Sequence, residues 1–145
     1  ELDNLEKIVS GNHKIIKRPR ARITLNNELI KELALNEVYV GATNQFHTSK
    51  YIIKLNGNKE EHRSSGVLVV TGSGSNSWYK SAGGTPFKYE EEKLAFLVRE
   101  PKRSRIFNPQ IISGYINKNE KIVFESRRQD GGVIAIDSGQ LMILI

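Results

Sequence analysis

The stretch SSGVLVVTGSGSNSWYKSAGG, residues 64–84, joins an apolar run to a loop of alternating glycine and serine. The run at 66–70, GVLVV, is short and wholly apolar, which is typical of a strand buried on both faces. Residues 75–82 show no β alternation, begin with serine and end at Gly83-Gly84, so they predict a short helix with a serine cap. A buried strand, a glycine–serine turn and a helix therefore follow one another directly.

A second short helix is expected at the amino end. Leu2, Leu5, Ile8 and Val9 recur at helical spacing, and Gly11 follows as a stop signal. The pattern thus predicts an amphipathic helix before the β-rich part of the chain.

Most of the remaining chain reads as strands separated by turn residues. After Pro19, the residues Ala21, Ile23 and Leu25 alternate with polar neighbours as in a half-buried strand. Asn56-Gly57 predicts a tight hairpin turn. The other predicted strands are ALNEVYV (34–40), KYIIKL (50–55), KEEHR (59–63), KLAFLVRE (93–100), IISGYI (111–116), EKIVFES (120–126), GVIAID (132–137) and QLMILI (140–145).

Eight or nine strands with few helices predict a mainly β fold, a layered β-sandwich-like domain with one or two short helices. The 145 residues have the length of one domain, and no repeat or low-complexity tract divides them. We therefore expect residues 1–145 to form a single β-rich domain. The chain has no initiating methionine and ends on an apolar stretch, which favours a piece of a longer protein.

Composition narrows the function classes. The net charge of +6 favours either polyanionic partners, nucleotides included, or a solvated basic surface. No cysteine is present, so disulfides and zinc–thiolate sites are excluded, and the three histidines lack metal-ligand spacing. The sequence shows neither a membrane-length apolar run nor a targeting leader, and the lack of cysteine fits an intracellular protein.

The glycine–serine loop is the first candidate site. Its backbone N–H groups and the side chains of Ser73, Ser75, Asn76 and Ser77 suit phosphate or ribose oxygens at a helix start. The loop is neither a Walker loop nor a dinucleotide fingerprint, since the required lysine and third glycine are missing. From the pattern alone, a plain strand-to-helix turn is the favoured alternative.

Asn36-Glu37 is the second candidate, because an amide beside a carboxylate can recognise a vicinal diol such as that of ribose. The alternative is that Asn36 starts the strand and Glu37 is solvated. Asp137-Ser138-Gly139 is expected to form a hairpin turn, although an aspartate at a strand end can also face a pocket. The basic stretches lack the interleaved aromatic residues of single-strand binding surfaces, so a nucleic-acid signal is weak.

Three segments taken in order carry a resemblance: 34–41, 64–84 and 124–139. They resemble the C-terminal domain of NAD kinases, and are most similar to the divergent mitochondrial-type branch. That branch has an SSG run, a TGTGS-like loop with tryptophan and a VREP…R.F segment, which is VREPKRSRIF at 98–107 here. The resemblance covers about residues 15–140.

The resemblance implies site residues. Asn36 and Glu37 match a pair that contacts the NAD substrate, and Trp78 stands where the common branch has tyrosine. Ser65 replaces an aspartate that contacts the dinucleotide, so that contact is altered. The positions that the resemblance assigns to NAD binding are Asn36, Glu37, Ser65, Ser73, Asn76, Ser77, Trp78, Ser81 and Asp137.

The resemblance also implies a function. NAD kinases transfer the γ-phosphoryl of ATP to the 2′-hydroxyl of the adenosine ribose of NAD. Their Gly-Gly-Asp-Gly motif lies in an N-terminal domain and is absent here, while QDGG at 129–132 is interpreted as a turn. NAD would be this chain's substrate, with ATP, Mg²⁺ and the catalytic residues belonging to the missing domain.

The implied partners and compartment follow from the family. We expect a homo-oligomer, a dimer or tetramer, with the apolar end of the chain as a buried or interface strand, and no membrane partner. The compartment would be a bacterial cytoplasm or the mitochondrial matrix. The alternatives are the C-terminal domain of a diacylglycerol- or sphingosine-kinase relative, or a basic nucleic-acid-binding β domain.

Overall fold

The computed structural model describes residues 2–44, 46–129, 131–138 and 141–144. Two α-helices are present in these ranges, α1 (Leu2–Val9) and α2 (Trp78–Ser81), and a 3₁₀ turn covers Gly74–Asn76. The strands are β1 (Thr24–Leu25), β2 (Glu28–Leu29), β3 (Glu37–Gly41), β4 (Ser49–Leu55), β5 (Asn58–Ser64), β6 (Val67–Val70), β7 (Lys93–Val98), β8 (Ser113–Asn117), β9 (Ile122–Ser126), β10 (Val133–Ile136) and β11 (Leu141–Leu144).

The strands form two layers and a small ribbon. One sheet has six antiparallel strands in the order β11-β10-β3-β6-β7-β8. The second sheet has three, in the order β5-β4-β9, and β1 pairs with β2 alone. The predicted mainly β, sandwich-like architecture is confirmed.

Strand β6 shows why the large sheet is covered on both faces. Val67 and Val69 point into a core shared with Ile53 of the small sheet. Leu68 and Val70 point the other way, into a second core under α2. All four side chains of β6 are buried, as predicted, and each such burial contributes about 1.5–3 kcal/mol. The loop after β6 is thereby anchored to the most buried strand of the domain.

The local predictions hold for most elements. Asn56 and Gly57 have φ of 49° and 80°, the left-handed values that a tight β4–β5 turn requires. Helix α1 forms as expected, with Leu5 and Ile8 exposed. None of the helices among the described residues is long and apolar enough to cross a membrane.

Three predictions need correction. The strand expected around Ala21 is reduced to an isolated bridge with Ala34, followed by the two-residue β1. The predicted helix at 75–82 is split into the 3₁₀ turn and α2, and no serine side chain caps either. The described ranges hold eleven strands instead of eight or nine, and two of these, β1 and β2, are the two-residue strands of the ribbon.

Two predictions fall on residues outside the description. The turn expected at 129–132 includes Asp130, which is one of them. The backbone of β11 pairs with β10, but the side chains of the apolar final segment are not described, so their burial stays a prediction.

Candidate functional site

Thr71 organises the loop that follows β6. Its hydroxyl donates to the Leu35 carbonyl and accepts the backbone N–H of Ser73 at 3.1 Å. Its own backbone N–H donates to the Asn36 carbonyl at 3.0 Å. One buried side chain therefore fastens the glycine–serine loop to the segment that enters β3.

Two glycines in the loop are required by close approach. A Cβ on Gly74 would lie 2.2 Å from the carbonyl oxygen of Asn36, and a Cβ on Gly72 would lie 2.2 Å from that of Lys88. Real Cβ atoms do not come that close to backbone atoms. Gly74 thus lets the loop lie directly against Asn36, and Gly72 lets it lie against Lys88.

Asp137 brings the ends of β10 and β3 together. Its carboxylate accepts the backbone N–H groups of Leu35, Asn36 and Glu37 at 2.8, 2.7 and 3.2 Å. Asp137 has φ 46°, a left-handed conformation that aspartate tolerates better than most residues, and it opens the predicted β10–β11 hairpin. The three bonds hold the backbone of the Asn36-Glu37 pair in place.

Glu37 is buried, with 2% of its surface exposed. Its Oε1 accepts the backbone N–H of Ser138 at 2.8 Å and lies 2.9 Å from the Ser138 hydroxyl, which donates to it. The alternative in which Glu37 is solvated is therefore wrong. A carboxylate held in this way offers a fixed acceptor at the mouth of the loop.

Two polar side chains at the same place have no protein partner. The hydroxyl of Ser73 is buried and makes no hydrogen bond among the described residues. The side-chain amide of Asn36, which is half-buried, likewise makes none within the described part of the chain. Unsatisfied groups beside a fixed carboxylate suit a ligand that carries several hydroxyls.

The other loop residues differ in what they offer. Ser75 was expected to point toward a ligand, but its hydroxyl is buried, lies 2.9 Å from the Gly72 carbonyl and accepts the backbone N–H of Phe87. Asn76 and Ser77 are exposed. Ser81 is exposed too, and its hydroxyl donates weakly to the Ser77 carbonyl at 3.3 Å. Ser75 is therefore a structural residue of the loop.

Trp78 lies in a stack instead of presenting two open faces. Its ring is stacked on Tyr39, with centroids 5.6 Å apart and planes at 22°. The guanidinium carbon of Arg99 lies 5.1 Å from the Trp78 ring centre. The Tyr39 hydroxyl donates to the Ser65 carbonyl at 2.9 Å, and burial raises the pKa of Tyr39. The predicted aromatic wall is thus already packed on one face.

Ser65 lies away from the Asn36-Glu37 pair. Ser65 precedes β6 and Thr71 follows β6, so roughly 20 Å of extended chain separates Ser65 from Thr71. The Ser65 N–H donates to the Arg99 carbonyl at 3.0 Å. The structure brings Asn36, Glu37, Ser73 and Asp137 together, and places Ser65 with Trp78 at the other end of β6.

Two surface clefts of about 430 Å³ each lie at other places. One is lined by Lys50, Arg127, Arg128 and Gln129, and the other by residues that include Ala82, Glu100 and Arg103. Neither is lined by the Asn36-Glu37 pair. The second cleft lies beside α2 and the residue that follows Arg99.

Comparisons with known proteins now bear on this arrangement. The chain is 24% identical over 135 residues to a probable NADH kinase from Oryza sativa subsp. japonica, covering 89% of the chain and 42% of that protein. It is 32% identical over 83 residues to an NAD kinase from Chlorobium phaeobacteroides, covering 55% and 29%. The mitochondrial NAD kinase 2 from Homo sapiens matches 99 residues at 28% identity, covering 67% and 22%.

The resemblance to NAD kinases is confirmed. A crystal structure of an NAD kinase from Archaeoglobus fulgidus in complex with ATP matches 97% of this chain and 51% of its own, with a TM-score of 0.68 at 21% identity. The chain therefore has the fold of a part of that NAD kinase. It spans about half the length or less of these relatives, and no protein-family model matches it.

Some residues of the site escape sequence reasoning. Thr71 and Tyr39 carry no pattern that separates them from other strand residues, although Thr71 opens the loop. Arg99 stands in the VREP segment, which was noted only as a likeness. Within the described ranges, no three carboxylate, imidazole or thiol side chains gather as a metal site.

Proposed function

We propose that this chain is the NAD-binding domain of an NAD kinase, a single β-rich domain of a longer two-domain enzyme. The reaction transfers the γ-phosphoryl group of ATP to the 2′-hydroxyl of the adenosine ribose of NAD. A bond forms between that oxygen and phosphorus, the bond to the ADP oxygen breaks so that ADP leaves, and the hydroxyl proton passes to a base of the N-terminal domain. The observation that carries the proposal is the Asn36-Glu37 pair, held by Asp137 against the glycine–serine loop, in a chain similar to NAD kinases.

Asn36, Glu37 and Ser73 would hold the acceptor ribose. The free amide of Asn36 can both donate and accept, and the buried Glu37 carboxylate accepts from ribose hydroxyls. The unpartnered Ser73 hydroxyl would gain a partner from the ligand. Fixed groups of this kind orient the 2′-hydroxyl, which is a large part of what phosphoryl-transfer enzymes supply.

The remaining predicted residues take distinct roles in this proposal. Asn76 and Ser77 are exposed beside the loop and would reach the adenine edge. Trp78 would form a wall of the pocket, through the part of its ring that Tyr39 leaves open. Asp137 acts as a positioning residue, because its carboxylate serves three backbone groups.

The phosphoryl donor belongs elsewhere. Among the described residues, no group of three or more His, Cys, Asp or Glu side chains lies together as a metal site. By the family resemblance, we assign ATP, Mg²⁺ and the catalytic residues to the N-terminal domain that carries the Gly-Gly-Asp-Gly motif. Alone, the chain would bind NAD without phosphorylating it.

Assembly and compartment are part of the same proposal. By the family resemblance, we propose a homo-oligomer, a dimer or tetramer, as the working form. One relative is named as mitochondrial, which favours the matrix, while bacterial relatives favour a cytoplasm.

Calorimetric titration of the chain with NAD tests the site. Wild type should bind NAD, and Asn36→Ala should weaken binding by about tenfold, because about 1–1.5 kcal/mol of hydrogen bonding is lost. Asn58→Ala, at an exposed position of the β4–β5 hairpin, is the matched control and should bind like wild type. Equal NAD affinities of Asn36→Ala and wild type would show that the Asn36 side chain does not bind NAD.

The same titrations test the rival functions. A nucleic-acid-binding domain would bind an oligonucleotide with an affinity that collapses steeply with salt. A lipid-kinase relative would bind diacylglycerol in micelles and ignore NAD. Neither alternative is supported by the relatives.

A further inference from the structure

Arg99 is a largely buried cation at the end of β7. Its backbone N–H donates to the Gly66 carbonyl at 2.8 Å, and its carbonyl accepts the Ser65 N–H. Its side chain is 19% exposed. The backbone of Arg99 is therefore hydrogen-bonded to the start of β6, and most of its side chain is buried.

The charge of Arg99 is poorly compensated. Its Nε is buried and has no hydrogen-bond partner among the described residues. Its Nη2 lies 3.5 Å from the Glu100 carboxylate, at the limit of hydrogen bonding, and Glu100 is 62% exposed. An ion pair with such an exposed carboxylate contributes little to stability, whereas the N–H groups of a buried guanidinium are usually all hydrogen-bonded.

Arg99 lies beside Trp78, which the proposed function assigns to the NAD pocket. The guanidinium lies over the ring of Trp78, which stacks on Tyr39. Its positive charge acts on Tyr39, where it opposes the rise in the pKa of that phenol caused by burial. Ser65, which the family resemblance assigns to the dinucleotide, is its backbone neighbour. A cleft lined by Glu100 and Ala82, among others, includes the residue that follows Arg99 in the chain.

We propose that Arg99 binds a phosphate group of the dinucleotide. The inference rests on the proposed function, because an NAD molecule whose ribose lies at Asn36 extends along β6 toward Trp78. Guanidinium groups pair with phosphate through two parallel N–H···O bonds, and the Nε–H of Arg99 has no hydrogen-bond partner among the described residues. Position 65 carries serine, and the carboxylate near the guanidinium is that of Glu100, which is 62% exposed and 3.5 Å from Nη2.

The proposal separates phosphate binding from packing. If Arg99 only supported Trp78, its loss would weaken every ligand that touches the ring. If it binds phosphate, its loss weakens only ligands that carry phosphate. NAD and adenosine differ in this respect and share the adenosine group.

The test titrates wild type, Arg99→Gln and Arg99→Lys with NAD and with adenosine. Arg99→Gln should weaken NAD binding by about tenfold to a hundredfold and change adenosine binding less than twofold. Arg99→Lys should restore a large part of the NAD affinity, since the charge is kept. Arg22→Gln removes an equal charge from an exposed position and should bind both ligands like wild type.

Equal weakening of NAD and adenosine in Arg99→Gln overturns the proposal in favour of packing, and unchanged NAD binding overturns it as well. A wild-type chain that binds neither ligand refutes the proposed function itself, and with it the role of Arg99. If Arg99→Gln fails to fold, the salt dependence of wild type decides. NAD affinity should then fall with salt while adenosine affinity does not, and parallel behaviour overturns the proposal.

Discussion

Asp137, which follows β10, accepts three backbone N–H groups at the start of β3, and replacing it by asparagine disturbs these hydrogen bonds. The amide oxygen can take over one oxygen position of the carboxylate. The amide nitrogen must then face a backbone N–H that previously donated to Asp137, at 2.8 Å for Leu35. Asparagine keeps the side-chain volume and tolerates the left-handed φ of 46°, so the change isolates the acceptor.

The expected loss in the free energy of unfolding is about 2–3 kcal/mol. One hydrogen bond to a charged acceptor contributes about 1.5–3 kcal/mol, and the donor left behind in a partly buried place adds to the loss. Urea unfolding followed by circular dichroism measures it. With an m-value of about 2 kcal/mol per molar, the midpoint should fall by about 1–1.5 M.

Two controls sharpen the test of Asp137. Glu61→Ala removes an exposed carboxylate whose one ion pair among the described residues is with Arg63 at 3.3 Å, and should change stability by less than about 0.5 kcal/mol. Asn36→Ala should leave stability near wild type and reduce NAD binding, whereas Asp137→Asn should reduce both. A midpoint for Asp137→Asn within about 0.2 M of wild type would refute the reasoning.

Further predictions concern the loop, a buried histidine and the activity of the chain. Gly74→Ala should lower stability by about 1–3 kcal/mol and weaken NAD binding, because its Cβ would lie 2.2 Å from the Asn36 carbonyl oxygen; calorimetry and urea unfolding check both. Burial lowers the pKa of His62, so the unfolded chain binds the proton first and stability falls as the pH drops below about 6.5. Urea unfolding at pH 7.5 and 5.5 should show a smaller acid loss in His62→Phe, and equal losses would contradict the burial argument. A coupled NADP-forming assay on the chain with NAD and Mg²⁺–ATP should show no turnover. Clear turnover would contradict the proposal that catalysis needs the N-terminal domain of the family.

Local features of the fold could be predicted because they depend on neighbouring residues. The apolar run of β6 has no polar position to expose, so burial on both faces follows from the residues alone. Asn56-Gly57 has the two residue types that adopt left-handed conformations, which determines the hairpin. Helix 75–82 was less predictable, because Ser75 turns its hydroxyl inward to Gly72 and Phe87 instead of capping a helix.

The site depends on contacts between distant parts of the chain. Asp137 meets Asn36 only because β10 pairs with β3, and alternation of apolar residues does not say which strands pair. The burial of Glu37 follows from the same pairing, so residue patterns alone favoured a solvated side chain. The resemblance to NAD kinases placed both residues in one site before the pairing was known. The stack of Tyr39, Trp78 and Arg99 likewise joins three strands and loops that no local pattern connects.

A crystal structure of the chain with bound NAD tests the central claim most directly. The account predicts that the adenosine ribose lies within hydrogen-bond distance of the Asn36 amide and the Glu37 carboxylate, with the glycine–serine loop against the adenosine. Density for NAD at another place, such as the basic cleft lined by Lys50 and Arg127, would contradict it.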